Sequence, residues 1–352
     1  MKAGAYNSQI SIIFMNKILH LFDEQYVKKL FTDKVLPLYP DFQAVKKIKI
    51  AAPKKYIWKN SYHVVIEFQT VFSRKDGREV KLPIYCTAHS EEPRKNVYDG
   101  LKFLWEHSFS HGWLSIPHPL FYSRYFRGTF YRGVVGRNLY QYIREKNFSL
   151  IEEIIPKTAA WFAKLHNLPA AKARNFNPKN SRIETVLPGL KNIFNHLKKR
   201  YPYYLEPFHR LYGIINEKEK KFLATTKKRW LVHGDAHPEN VIRMSPRKIA
   251  VIDFTDLCLS DFARDLGTFL QQLEFMCNRK IGNPRYATKL KEMFLKSYFK
   301  YAKIKLDNNL AERIDNYYWW TAMRTASYFL LKDKPEPDRA KPLVEQAKKK
   351  LL

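Results

Sequence analysis

The chain has 352 residues, with 63 Lys and Arg against 33 Asp and Glu, a formal net charge of +30. Its 45% hydrophobic and 15% aromatic content excludes a disordered protein, and the length suffices for two domains of ordinary size. Three cysteines, Cys86, Cys258 and Cys277, lack metal-ligand spacing and make no disulfide framework, which points to a reducing cytoplasm.

In chain order, residues 1–40 read as an N-terminal extension with a helix near Glu24–Val35 that packs against the first domain. The apolar run Ile10–Met15 is too short to span a bilayer, and no transmembrane segment is expected. Apolar or alternating runs at Val45–Ile50, Tyr62–Phe72 and Val80–Ala88 read as strands, with turn chemistry at Lys75–Gly77. The first two are expected to be joined by a loop at Ala52–Tyr56. A helix over Glu91–Glu106 presents Val97, Leu101, Leu104 and Trp105 on one face. Strands over Leu120–Tyr125 and Gly128–Val135 follow, and Gly136–Leu139 opens the next helix.

The remainder reads as mostly helical. Ile154–His166 is amphipathic, with Pro156 marking a start or a kink. Helices are expected over Phe262–Met276, Arg285–Tyr301 and Ala311–Leu331, and a basic surface helix over Arg339–Leu352. The aromatic stripe Tyr317, Tyr318, Trp319 and Trp320 reads as core rather than as a ligand cage.

The chemistry is concentrated between Leu231 and Asp265. His233, Gly234 and Asp235 come first, Asn240 follows, and Ile252, Asp253 and Phe254 lie beyond it. Val241–Met244 and Ile249–Ile252 are short apolar runs around Ser245–Lys248, a hairpin signature. Asn240 then stands where the hairpin begins and Asp253 where it ends, so both can converge on one ion. An Asp, an Asn and a second Asp at this spacing suit phosphoryl transfer. One carboxylate meets an acceptor hydroxyl, while the amide and the other carboxylate hold Mg²⁺ against nucleotide phosphates.

With His233, Gly234, Asp235, His237, Pro238 and Asn240 in HGDxHPxN order, then Ile252–Phe254 and Asp261, Arg264 and Asp265, the chain resembles the aminoglycoside phosphotransferase and choline kinase-like superfamily. The resemblance covers roughly Val45 to Phe275. It implies an α+β, bilobal protein-kinase-like fold with an antiparallel-sheet N-lobe (41–135) and a mostly helical C-lobe (136–352). In that frame Asp235 is the catalytic base, Asn240 and Asp253 bind Mg²⁺, and His233, His237 and Asp265 are scaffold around the loop. The nucleotide is ATP or GTP, and an adenine ring is expected against the backbone of Tyr131–Val135, at Tyr131 and Val134. Asp256 faces either the acceptor pocket or solvent.

The N-lobe departs from that pattern. A kinase-like third strand carries a Lys against the phosphates, but Leu82–Ser90 has none, and Thr87 and His89 stand in its neighbourhood. No glycine lies in Ala52–Tyr56 to wrap phosphates. Lys54 and Lys55 are the expected substitutes, with Lys59 and Arg94 behind them. The charge supplies a second theme, because six lysines fall between Lys46 and Lys59 with no acid among them. Such a surface attracts nucleotides, RNA or anionic lipid, and opposes a polycationic acceptor unless Asp256, Asp261 and Glu274 reverse the field locally. The leading expectation is a cytoplasmic kinase acting on a hydroxylated small molecule. The alternative is a pseudokinase-like module that binds RNA or another anion, although no nucleic-acid motif supports it.

Overall fold

The computed structural model describes residues 16–352; the run at Ile10–Met15 lies outside them. In chain order the helices and strands are α1 (Glu24–Lys34), β1 (Phe42–Ile57), β2 (Tyr62–Arg74), β3 (Glu79–His89) and α2 (Lys95–Leu104). Next come β4 (Leu114–Ser115), β5 (His118–Ser123), β6 (Gly128–Arg132), β7 (Arg137–Asn138), α3 (Leu139–Arg144), α4 (Phe148–His166), α5 (Leu190–Arg200) and α6 (Pro202–Thr225). Then follow β8 (Trp230–Val232), β9 (Val241–Ser245), β10 (Lys248–Val251), β11 (Cys258–Ser260), α7 (Ala263–Lys280), α8 (Pro284–Ala302), α9 (Asn308–Leu331) and α10 (Pro337–Leu351). The class is α+β, a sheet-rich N-terminal region followed by a helical C-terminal one.

The chain divides into two compact units. One runs through Tyr98 and includes Pro119–Gly133; the other comprises Asp99–His118 and Val134–Leu352.

The first unit is built on a five-stranded sheet in the order β1-β2-β3-β6-β5. Alternation along the strands sends Val64, Ile66 and Phe68 of β2 and Ile84, Cys86 and Ala88 of β3 to one face. That face buries Val27 and Phe31 of α1, and the Phe31 ring meets Phe68 edge-on at 5.1 Å. The expected packing of the N-terminal helix is therefore present.

Two expectations fail here for identifiable reasons. β1 does not stop at Ile50, and Ala52–Tyr56 is not a loop. The strand continues to Ile57 through a bulge between Ala51 and Lys54, and the turn falls at 58–61, closed by Trp58 N–H to Ser61 C=O at 2.8 Å. Pro53 lacks an N–H, and an edge strand with a bulge is where a strand tolerates that loss. α2 begins at Lys95 rather than Glu91, because Pro93 disfavours helix just before it. In addition, His89 Nδ1 accepts the N–H groups of Glu91 and Glu92 at 3.1 and 3.0 Å.

The second unit carries the helices. α4 starts at Phe148, capped by Asn147, so Pro156 lies inside it rather than at its start. α7 packs closely on α9 because position 267 is glycine; a Cβ there meets Ile314 O at 2.5 Å. Tyr317 and Trp320 are core residues, as expected, while Tyr318 and Trp319 are half-buried. α10 is basic in its last turn but buries Ala340, Leu343, Val344 and Ala347. No described helix is long and apolar enough to cross a membrane.

Candidate active site

The stretch from Leu231 to Asp265 lies in the second unit on two small sheets, β8 with β11, and β4-β10-β9-β7. β9 and β10 form the expected hairpin. Its open end is tied by the Ile252 N–H to the Asn240 carbonyl at 3.0 Å, which brings Asn240 and Asp253 to the same place. Arg243 of β9 forks onto Glu153 of α4 at 3.1 and 3.2 Å, fixing the hairpin against that helix.

Between β8 and the hairpin, the loop is hung from Asp265. This fully buried carboxylate accepts the His233 N–H at 2.6 Å through Oδ2 and the Gly234 N–H at 2.9 Å through Oδ1. His166 of α4 meets Oδ2 at 3.1 Å through Nε2 and bonds Tyr298 Oη at 2.8 Å through Nδ1. Burial works against ionisation of Asp265, but His166, His233 and the Gly234 amide together hold its pKa below the ordinary carboxylate value. Arg264, also buried, donates to Gly234 C=O at 3.1 Å and lies 4.9 Å from the Trp320 ring centroid. His233 Nε2 contacts the Ile252 carbonyl at 2.9 Å, linking the loop to the end of β10. Gly234 has φ +84°, and a Cβ there strikes Asp256 O at 2.4 Å, so glycine is required on both counts.

This scaffold points Asp235 outward. Its side chain is 34% exposed, with Oδ2 at 3.3 Å from His237 Nε2 and Oδ1 at 3.8 Å from Arg324 of α9. Burial opposes its charge, yet His237, Arg324 and His233 prevail and hold the carboxyl far below its usual range. The same guanidinium lies 3.9 Å from Asp256 Oδ2. Burial and the charge of Asp235 push the Asp256 pKa up, so Asp256 faces the Asp235–Arg324 group rather than bulk solvent. Asn240 is buried and donates Nδ2 to the Asp235 carbonyl at 3.0 Å, which leaves its Oδ1 as the available ligand atom. Asp253 is exposed with φ +63°, its Oδ1 accepting the Thr255 N–H at 3.3 Å.

Arg324 was not legible in the sequence. Its helix reads as an aromatic core helix, and nothing local marks one arginine on it as the neighbour of Asp235. The other candidates lie elsewhere. Lys54 and Tyr131 belong to the first unit, Tyr131 stacking on Tyr85 with centroids 5.8 Å apart. Lys55 faces the opposite side of β1 from Lys54, 4.5 Å from the Phe22 ring centroid. Val134 opens the irregular stretch that follows Gly133 in the second unit.

The model of the phosphotransferase enzyme family (APH) matches residues 65–305, well over half of the chain. This chain belongs to the phosphotransferase enzyme family. No curated protein sequence matches it significantly. Among solved structures, choline kinase LicA from Streptococcus pneumoniae aligns at TM-score 0.54 with 13% identity, over 93% of this chain and 99% of that one. Ethanolamine kinase from Plasmodium vivax aligns at 0.51 and 14% identity, over 85% and 81%. Aminoglycoside phosphotransferase APH(2'')-Ib, solved with ADP bound, aligns at 0.51 and 13%, over 92% and 96%. At these identities the likeness is one of fold. As a member of this family the chain is a phosphotransferase of the kinase type, with the sheet-and-helix architecture described above.

Proposed function

We propose that this phosphotransferase is a Mg²⁺-dependent small-molecule kinase, moving the γ-phosphoryl of ATP or GTP to an alcohol hydroxyl. The observation that carries this reading is the convergence at one loop of Asp235, outward and ionised, with Asn240 and Asp253 at the mouth of the β9–β10 hairpin. In the step itself the acceptor oxygen bonds to the γ-phosphorus as the bond from phosphorus to the β–γ bridging oxygen breaks. The hydroxyl proton passes to Asp235, and the nucleoside diphosphate leaves. A carboxylate held so acidic is a weak base, so it orients the hydroxyl first and accepts the proton late, once bonding to phosphorus has acidified it.

The donor set suits magnesium. Asn240 Oδ1 and the Asp253 carboxylate are hard oxygen donors. Among the described residues no group of three or more His, Cys, Asp and Glu could hold a metal alone. A cation at this place draws its remaining ligands from phosphate oxygens and water, the usual habit of Mg²⁺. When bound, the ion neutralises charge on the phosphates. The structural relatives, a choline kinase, an ethanolamine kinase and an aminoglycoside phosphotransferase solved with ADP, support a nucleotide donor and a small hydroxylated acceptor. The three free, buried cysteines fit a reducing cytoplasm.

The test is calorimetric titration of the full chain with MgATP and MgGTP, beside Asp253→Asn. Metal-dependent binding that the substitution weakens at least tenfold supports the reading. Absence of binding to both nucleotides in the unmodified chain rejects it.

A further inference from the structure

The face of the first unit's sheet turned away from α1 carries His63 and Val65 on β2, Thr87 and His89 on β3, and Thr129 on β6, in register with one another. Lys54 pairs with Val65 and shares that face. At its end, just before α2, stands Arg94. The Arg94 backbone is clamped, its N–H donating to Arg127 C=O at 3.1 Å and its carbonyl accepting the Thr129 hydroxyl. Its side chain is 8% exposed, and Nε has no hydrogen-bond partner. Among the described residues, the carboxylate within ion-pair distance is Glu92, at 3.3 Å and itself half-exposed. A guanidinium this deeply buried and this weakly compensated is costly unless an anion completes it.

The neighbouring rings are set to help. Arg94 has only donors, so its contact at 3.5 Å makes His63 Nε2 an acceptor and leaves the His63 proton on Nδ1. His89 Nδ1 is occupied by the Glu91 and Glu92 amides, so its proton is on Nε2. The two imidazoles lie 4.6 Å apart. One guanidinium, one lysine and two imidazole N–H donors thus share a single sheet face.

We infer that Arg94, His63, His89 and Lys54 form a phosphate-binding site on this face, doing the work of the strand lysine that β3 lacks. The inference rests on the kinase reading and specifies which residues neutralise the donor's phosphates. Burial, then Lys54, Arg94 and His89, push the His63 pKa down to about 4, with Glu92 opposing. The same burial and Arg94 lower His89, with Glu92 and Glu91 opposing. An arriving polyphosphate reverses that balance, so binding takes up a proton and tightens as pH falls from neutral.

Inorganic pyrophosphate and MgATP, each titrated into the full chain, provide the test, with imidazole NMR following both histidines. The expected result is pyrophosphate binding that Arg94→Gln weakens at least tenfold, that Arg94→Lys partly restores, and that Asp253→Asn leaves in place. In the unmodified chain the His63 pKa should rise from about 4 on saturation, a readout that needs no variant to fold. If MgATP binds while Arg94→Gln is neutral and neither histidine responds, this site is overturned and the kinase reading stands. If pyrophosphate binds through Arg94 but MgATP is not turned over on any alcohol, the site stands and the kinase reading falls. No binding of either ligand rejects both.

Discussion

The Gly234 amide donates to Asp265 Oδ1 at 2.9 Å, and the neighbouring His233 amide takes the other oxygen at 2.6 Å. One carboxylate in the first turn of α7 therefore sets the height of the whole loop that presents Asp235. Asparagine at this place turns one acceptor oxygen into an N–H group facing another N–H. Hydrogen bonds to a charged group contribute about 1.5–3 kcal/mol. Asp265→Asn should lose about that much stability in urea denaturation and lose turnover with it. A variant with unchanged midpoint and rate contradicts the anchoring role.

Asp235 itself makes no such structural contact through its carboxylate; its ion pairs are long and partly exposed. Asp235→Asn should leave the fold and MgATP affinity close to those of the parent. Phosphoryl transfer should drop about 10²-fold or more, the scale of a lost general base. Comparison of calorimetric binding with steady-state turnover checks both halves at once.

Arg324 lowers the pKa of both Asp235 and Asp256 by its charge. With Arg324→Gln both carboxylates become less acidic. The acid limb of the kcat/KM profile should then move to higher pH. A profile that drops uniformly at all pH values assigns Arg324 to substrate binding instead.

His63 ties stability to acid. Its folded pKa is about 4, against about 6.5 in an unfolded chain. The fold thus favours the neutral ring, and the stability it contributes is complete above about pH 6.5. It is lost as pH falls toward 4, because the unfolded chain takes up a proton the fold refuses. Gln retains an acceptor for Arg94 but does not titrate. His63→Gln should flatten the decline in melting temperature between pH 6.5 and 4.5, and an equally steep decline would show that other groups cause it.

Much of this was legible along the chain. Alternation in Tyr62–Phe72 and Val80–Ala88 located β2 and β3 because a pleated strand buries every second side chain. The helices after Phe262 were readable because their apolar residues recur at helical spacing. The order of Asp235, Asn240 and Asp253 identified the loop and hairpin, since both proposed ligands, Asn240 and Asp253, come from one short segment. Where the reading of β1 failed, a non-local contact had decided the outcome. The bulge that carries β1 past Pro53 exists because β2 is there to pair with Lys54–Ile57. The start of α2 was displaced by Pro93, which disfavours helix just before it, and His89 holds the preceding turn by accepting the Glu91 and Glu92 amides. The helices α5 and α6 were not anticipated, although Pro202 stands at the first turn of α6 in the position that favours a start.

The amino-acid sequence by itself determined the family, the sheet-then-helix order and the three residues of the loop and hairpin, because each is written within a few neighbouring positions. Only the tertiary structure decided which charges stand beside Asp235, and which cations gather on the sheet that lacks its strand lysine. Arg324 reaches Asp235 from α9, and Arg94 reaches His63 from the far side of β3. Charge acts through space, and folding alone determines which distant residues come within a few ångströms of each other.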